Sequence, residues 1–127
     1  MRKLKNAISW FEIPITDVPR AKKFYETILD IEMMEIKLDT DFIIVIFPVE
    51  DGTISGALCK HKGFYTPGQT GNILYLNAGP DLQGVLDKVA QAGGKIVKAK
   101  NHISDTFGFT AYIEDSEGNR IGLHSLA

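Results

Sequence analysis

Glu12 and His124 are the two side chains of this sequence best suited to proton transfer. A carboxylate and an imidazole on one site supply a general base and a general acid, and an imidazole titrates near neutrality without help. Trp10 next to Glu12 gives an aromatic setting that penalises the charged carboxylate, which suits a base. Trp10, Tyr75 and Asn77 are groups that stack on an organic ligand or hydrogen-bond to it. Arg120 reads as a solvated strand-end residue or as an anion clamp at a site's mouth. The plain alternative is that Glu12 and His124 hydrogen-bond across strands and only satisfy each other.

Other reactive side chains offer less. Cys59 is the only cysteine, so neither an intrachain disulfide nor a cysteine-based zinc site is available. It is expected on the helix-covered face as a small core residue. His61 at a linker edge and His102 in a polar stretch read as solvated. Met33-Met34 is expected in the core, and Lys95, Lys98 and Lys100 on a solvated strand face.

These groups do chemistry together only if the elements that carry them put them on one face. Two helices are predicted. Ala21, Phe24, Tyr25 and Ile28 fall on one stripe at a 3.6-residue period, with Thr16 or Asp17 as cap and Pro19 in the first turn. Leu82, Val85, Leu86, Val89 and Ala90 repeat the stripe, with Asp81 as N-cap and Gly93-Gly94 as the stop. Strands are predicted over 7–15, 41–49, 53–60, 72–78, 107–114 and 119–126. Asp51-Gly52 and Glu117-Gly118 mark hairpins.

The order reads β-α-β-β-β twice. The fold class is therefore α+β: two tandem βαβββ modules forming a cupped mixed sheet. The chain is one domain over 1–127, with module 1 at 1–62, a linker at 63–71 and module 2 at 72–127. Laying Asp51-Gly52 on Glu117-Gly118 sets Phe47 on Ile113 and Gly56 on Gly122. Laying Asp17 on Asp81, with a one-residue slip for Gly79-Pro80, sets Trp10 on Tyr75 and Glu12 on Asn77.

Strand alternation then assigns faces. Phe11, Ile13, Ile15, Leu74, Leu76, Ala78, Ile121 and Leu123 go under the helices. Trp10, Glu12, Tyr75, Asn77, Arg120 and His124 take the opposite face, joined by Ile54, Gly56, Leu58 and Gly122. The two glycines are expected to open space for a ligand.

Composition bounds the partners. The 127 residues are 44% hydrophobic and 24% charged, with net charge −2, so no basic field exists to hold nucleic acid. The longest apolar run, Phe42 to Phe47, is too short to span a bilayer. The basic start Met1 to Lys5 leads straight into a strand pattern without a signal-peptide apolar region, so the expected location is cytoplasmic.

Trp10-Phe11-Glu12-Ile13, Asp17 and Arg20-Ala21-Lys22-Lys23-Phe24-Tyr25 resemble the opening of vicinal-oxygen-chelate proteins, the glyoxalase/bleomycin-resistance/dioxygenase family. Gly56-Ala57-Leu58, Tyr75-Leu76-Asn77, Ala92-Gly93-Gly94-Lys95 and the run from Asp115 to His124 carry the resemblance through nearly the whole chain. It implies paired βαβββ modules, a cupped sheet around a site, and a homodimer, in which facing modules can come from different chains. Metal-dependent members take His, Glu or Gln ligands from the first and fourth strands of each module. Those positions are Trp10, Gly56, Tyr75 and Gly122 here. Indole has no in-plane lone pair, glycine has no side chain, and phenolate is an uncommon ligand for zinc, nickel or magnesium.

The resemblance thus implies a protein that binds a small organic molecule with no metal and no cofactor, its reaction unassigned. Glu12 would be the base and His124 the acid. Trp10, Tyr75, Asn77, Gly56, Gly122 and Arg120 would line the ligand site. One alternative is sequestering without catalysis, as in the bleomycin-resistance branch. A second is a metal-dependent lyase or dioxygenase with ligands relocated to Glu12, His124 and Asn77.

Overall fold

Asp17 starts the first helix as its residue type dictates. Its backbone is extended, and its carboxylate accepts the Arg20 N–H at 3.0 Å. Helix α1 (Val18–Leu29) buries Val18, Ala21, Phe24, Tyr25 and Ile28, the stripe expected from the sequence. It ends at Asp30, which adopts a left-handed φ of 54°. The computed structural model describes all residues from Met1 to Ala127.

Before α1 runs β1 (Trp10–Pro14). After it come β2 (Met34–Asp39), β3 (Phe42–Ile46) and β4 (Ser55–His61). The second half repeats the series as β5 (Tyr75–Asn77), α2 (Gln83–Val89), β6 (Lys95–Ser104), β7 (Gly108–Glu114) and β8 (Arg120–Ser125). Each half forms a four-stranded mixed sheet, β1-β4-β3-β2 and β5-β8-β7-β6, with the first strand parallel to the last. The acidic-Gly turns lie in the β3–β4 and β7–β8 connections, where Gly52 and Gly118 take φ of 79° and 91°. No helix is long and apolar enough to cross a membrane.

Helix α2 is shorter than its apolar stripe. Leu82 lies just ahead of it and gives its N–H to the Ser125 hydroxyl at 2.9 Å. Asp81 serves the first turn from one residue further out, accepting from the Gln83 N–H at 2.9 Å and pairing with Lys100 at 2.8 Å. Gly93 provides the expected stop, with φ of 105°. Met33 is buried, but Met34 is 60% exposed, because the two occupy consecutive positions where the chain enters β2.

One hydrophobic core holds both halves together. Its 21 buried residues include Ile13, Val45 and Leu58 from the first sheet and Leu76, Ala111 and Leu123 from the second, with the stripes of both helices. Gly94 permits this closeness, since a Cβ there would lie 2.7 Å from the Phe24 ring.

The ladders correct the register of the repeat. Ile46 pairs with Ala57 as Tyr112 pairs with Gly122. With Phe47 kept on Ile113, Ala57 is therefore the counterpart of Gly122. Glu12 pairs with Ala57 as Tyr75 pairs with Gly122, so the counterpart of Tyr75 is Glu12 and not Trp10. The residue added at Gly79-Pro80 shifts the alignment opposite to the expected slip, and the β3–β4 connection is one residue longer than its partner. In consequence Gly56 and Leu58 lie on the helix side with Phe11 and Ile13, and Cys59 lies on the opposite face beside Glu12.

Candidate functional site

On the helix-free face of the first sheet, Glu12 is the centre of a polar cluster. It projects from β1 between buried Ile13 and the Phe11 ring, whose alternation turns it away from the core. The Tyr65 hydroxyl donates to Glu12 Oε1 at 2.6 Å, and the Trp10 indole N–H reaches Oε2 at 3.4 Å. Burial and the bond to Glu12 together push the Tyr65 phenol above its ordinary range. Beneath them, burial first and Glu12 second push the Cys59 thiol up to about 12. Glu12 itself is exposed.

His61 joins the same face. It is half-buried with its ring 5.5 Å from Phe42, and its Nδ1 is buried without a partner, contrary to the expected solvated histidine. Trp10 is 43% exposed.

A second cluster forms on the helix-free face of the other sheet. The Tyr75 and Tyr112 hydroxyls share a hydrogen bond at 2.6 Å, which raises the Tyr75 phenol above its ordinary range. His124 Nε2 lies 2.6 Å from the Phe107 carbonyl. A carbonyl only accepts, so Nε2 carries the proton and Nδ1 is the nitrogen left for a ligand. Asn77 Oδ1 accepts from the Gly79 N–H at 3.1 Å. Tyr75, Asn77 and His124 line one opening of about 620 Å³.

Neither glycine opens space. A Cβ at Gly122 would lie 2.5 Å from the Tyr75 ring, and one at Gly56 would lie 2.5 Å from the Phe11 ring, so each glycine is the seat of a neighbouring aromatic. Gly56 does so on the helix side, away from Glu12.

Glu12 and Arg120 line one polar cavity of about 330 Å³, roofed by Thr66, Thr70 and Asn72 of the connection between the sheets. Arg120 Nη2 donates to the Gly71 carbonyl at 2.7 Å. Glu12 and His124 line different cavities and bond to different partners, so within one chain they do not form an acid–base pair.

Sequence reasoning missed Tyr65 and Tyr112. Tyr112 was findable, because it stands across the β7–β8 hairpin from Gly122. Tyr65 lies in the connection between modules and carries no periodic signal.

The chain matches the family model described as Glyoxalase/Bleomycin resistance protein/Dioxygenase superfamily over residues 7–123. Among curated proteins none matches. Solved structures share the fold. A glyoxalase/bleomycin resistance protein from Streptomyces sp. CB03234 is 20% identical with a TM-score of 0.69, over 91% of this chain and 97% of that one. An antibiotic binding protein from the same organism is 19% identical with a TM-score of 0.66, over 99% and 100%. A glyoxalase I variant from Zea mays is 16% identical with a TM-score of 0.71, over 91% of this chain and 44% of that one.

The metal that some of these relatives' resemblance implies does not fit this donor set. No group of three or more His, Cys, Asp or Glu side chains in the chain could hold a metal ion. At the expected ligand positions stand an indole, two glycines and a phenol already bonded to Tyr112. The ladder register replaces Trp10 and Gly56 by Glu12 and Ala57, which adds one carboxylate and no second good donor.

Proposed function

In a chain that belongs to the glyoxalase/bleomycin resistance protein/dioxygenase superfamily, we propose a protein that binds a small organic molecule without a metal, with Glu12 meeting a cationic group of the ligand. The observation that carries this reading is the setting of Glu12. Its carboxylate has no cationic partner, is fixed by Tyr65 at 2.6 Å, and stands exposed beside the Trp10 indole. A fixed carboxylate beside an aromatic face suits an organic cation, which gains both the ion pair and the ring's negative face. The separation of Glu12 from His124 favours binding over acid–base turnover in a single chain. The antibiotic binding protein with this fold supports the same role by analogy of fold alone.

Trp10 is the only tryptophan, so its fluorescence reports the site directly. Titrating a panel of aromatic amines is expected to quench it, with Glu12→Gln weakening binding at least ~10-fold. Quenching that is equally tight in Glu12→Gln would overturn the assignment of Glu12, and an unresponsive Trp10 across the panel would overturn the site.

A further inference from the structure

We propose that the ligand is a zwitterion, its cationic group on Glu12 and a carboxylate on Arg120, seated in the cavity beneath the connection between the two sheets. The inference rests on the binding role of Glu12 and goes beyond it in naming the second charge. Both side chains line the same cavity of about 330 Å³, yet they form no ion pair with each other or with anything else.

Arg120 is short of acceptors. Its Nη2 bonds only a backbone carbonyl, at Gly71, and its Nε is buried with no partner. The carboxylate opposite it in the β7–β8 ladder, Glu114, is turned to Gln69 at 3.0 Å and Lys95 at 3.8 Å. A guanidinium held free of its neighbouring carboxylate is a site for an incoming one.

The remaining lining fits a small polar body. Thr66, Thr70 and Asn72 offer hydroxyl and amide groups, and only three of the twelve lining residues are hydrophobic. One carboxylate and one guanidinium make the cavity neutral overall, which matches a ligand of net charge zero better than a phosphate dianion. The volume is at the small end of organic-ligand pockets, on the order of 300–1,000 Å³.

The test uses ω-amino acids from glycine to 6-aminohexanoate, each compared with the alkylamine and the alkanoate of the same length, by isothermal titration calorimetry on the full chain. One length of amino acid is expected to bind at least ~10-fold tighter than its amine or acid. Arg120→Gln should remove that advantage without weakening the amine's binding, since it takes a cation out of the cavity, and Arg120→Lys should retain part of it. An amine that binds wild-type protein as tightly as the amino acid would overturn the zwitterion and leave the reading of Glu12 standing. An advantage that survives Arg120→Gln would overturn the role of Arg120. If neither amines nor amino acids bind, both this inference and the reading beneath it fall.

Discussion

Cys59 shows how far one residue's character is set by its neighbours. Period-two alternation counted from the wrong glycine puts it under the helices. The ladder puts it on the other face, below Glu12 and Tyr65, where it is fully buried. With its thiol pushed up to about 12, mainly by burial, almost none of it is thiolate at pH 8. Ellman's reagent is therefore expected to react with the native protein at least ~100-fold more slowly than with urea-unfolded chain. Glu12→Gln should leave most of that protection, since burial is the larger cause. Fast native labelling would show that the cluster over Cys59 is open.

Among elements, the β7–β8 turn has a role that its hairpin signal does not reveal. Glu117 leaves its own sheet and caps the other module's helix. Its Oε1 accepts from the Thr16 and Asp17 N–H groups at 2.9 Å each, and its Oε2 pairs with Arg20 Nε at 2.7 Å. Two residues earlier, Asp115 accepts from the buried Tyr25 hydroxyl at 2.5 Å, and Asn119 gives its amide to the Pro14 carbonyl at 2.7 Å. Burial works to raise the Glu117 carboxyl, but the bonds from Arg20, Asp17, Thr16 and Ser116 outweigh it and hold it at about 2.

A carboxyl lowered on folding stabilises the fold above its unfolded value and loses that contribution as the proton goes on. The melting temperature is expected to hold steady above about pH 5 and to fall between about pH 4.5 and 2. Glu117→Gln should flatten that fall and cost about 1.5–3 kcal/mol at pH 7, measured by urea unfolding. An unchanged acid slope in this variant would mean that other carboxyls govern it.

At the scale of the molecule, the two modules are expected to behave as one folding unit. Their shared core of 21 residues and the Glu117 cap leave neither half with an apolar face of its own. Calorimetry is expected to show a single transition, and a fragment of residues 1–62 should be unfolded by circular dichroism. Two separated transitions would contradict a shared core. The helix-free faces remain open, with Trp10 43% and Tyr75 44% exposed. A homodimer that lays the first sheet of one chain against the second of its partner would cover them and bring Glu12 towards the partner's acid–base groups. Sedimentation equilibrium is expected to give twice the 14.0 kDa chain mass, and a monomer at micromolar concentration would exclude the arrangement.

The sequence by itself determined both helices, six of the eight strands and their order. Apolar spacing, Asp17, the acidic-Gly turns and Gly93 act within a few residues of where they stand, so local rules suffice. It also determined the faces of β5 and β8, where the count runs unbroken from Glu117-Gly118 and Tyr75 meets Gly122 directly. Only the tertiary structure decided the register of β1 against β4. Parallel strands are not joined by a turn that could fix their pairing, and a one-residue slip turns every side chain to the other face. The longer β3–β4 connection turned Gly56 to the helix side and Cys59 to the face of Glu12, and together with the β1–β4 register it made Glu12 the counterpart of Tyr75. Tyr65 is brought to Glu12, and the Gly71 carbonyl to Arg120, by the connection between modules, whose path is set by packing and not by any period in the chain.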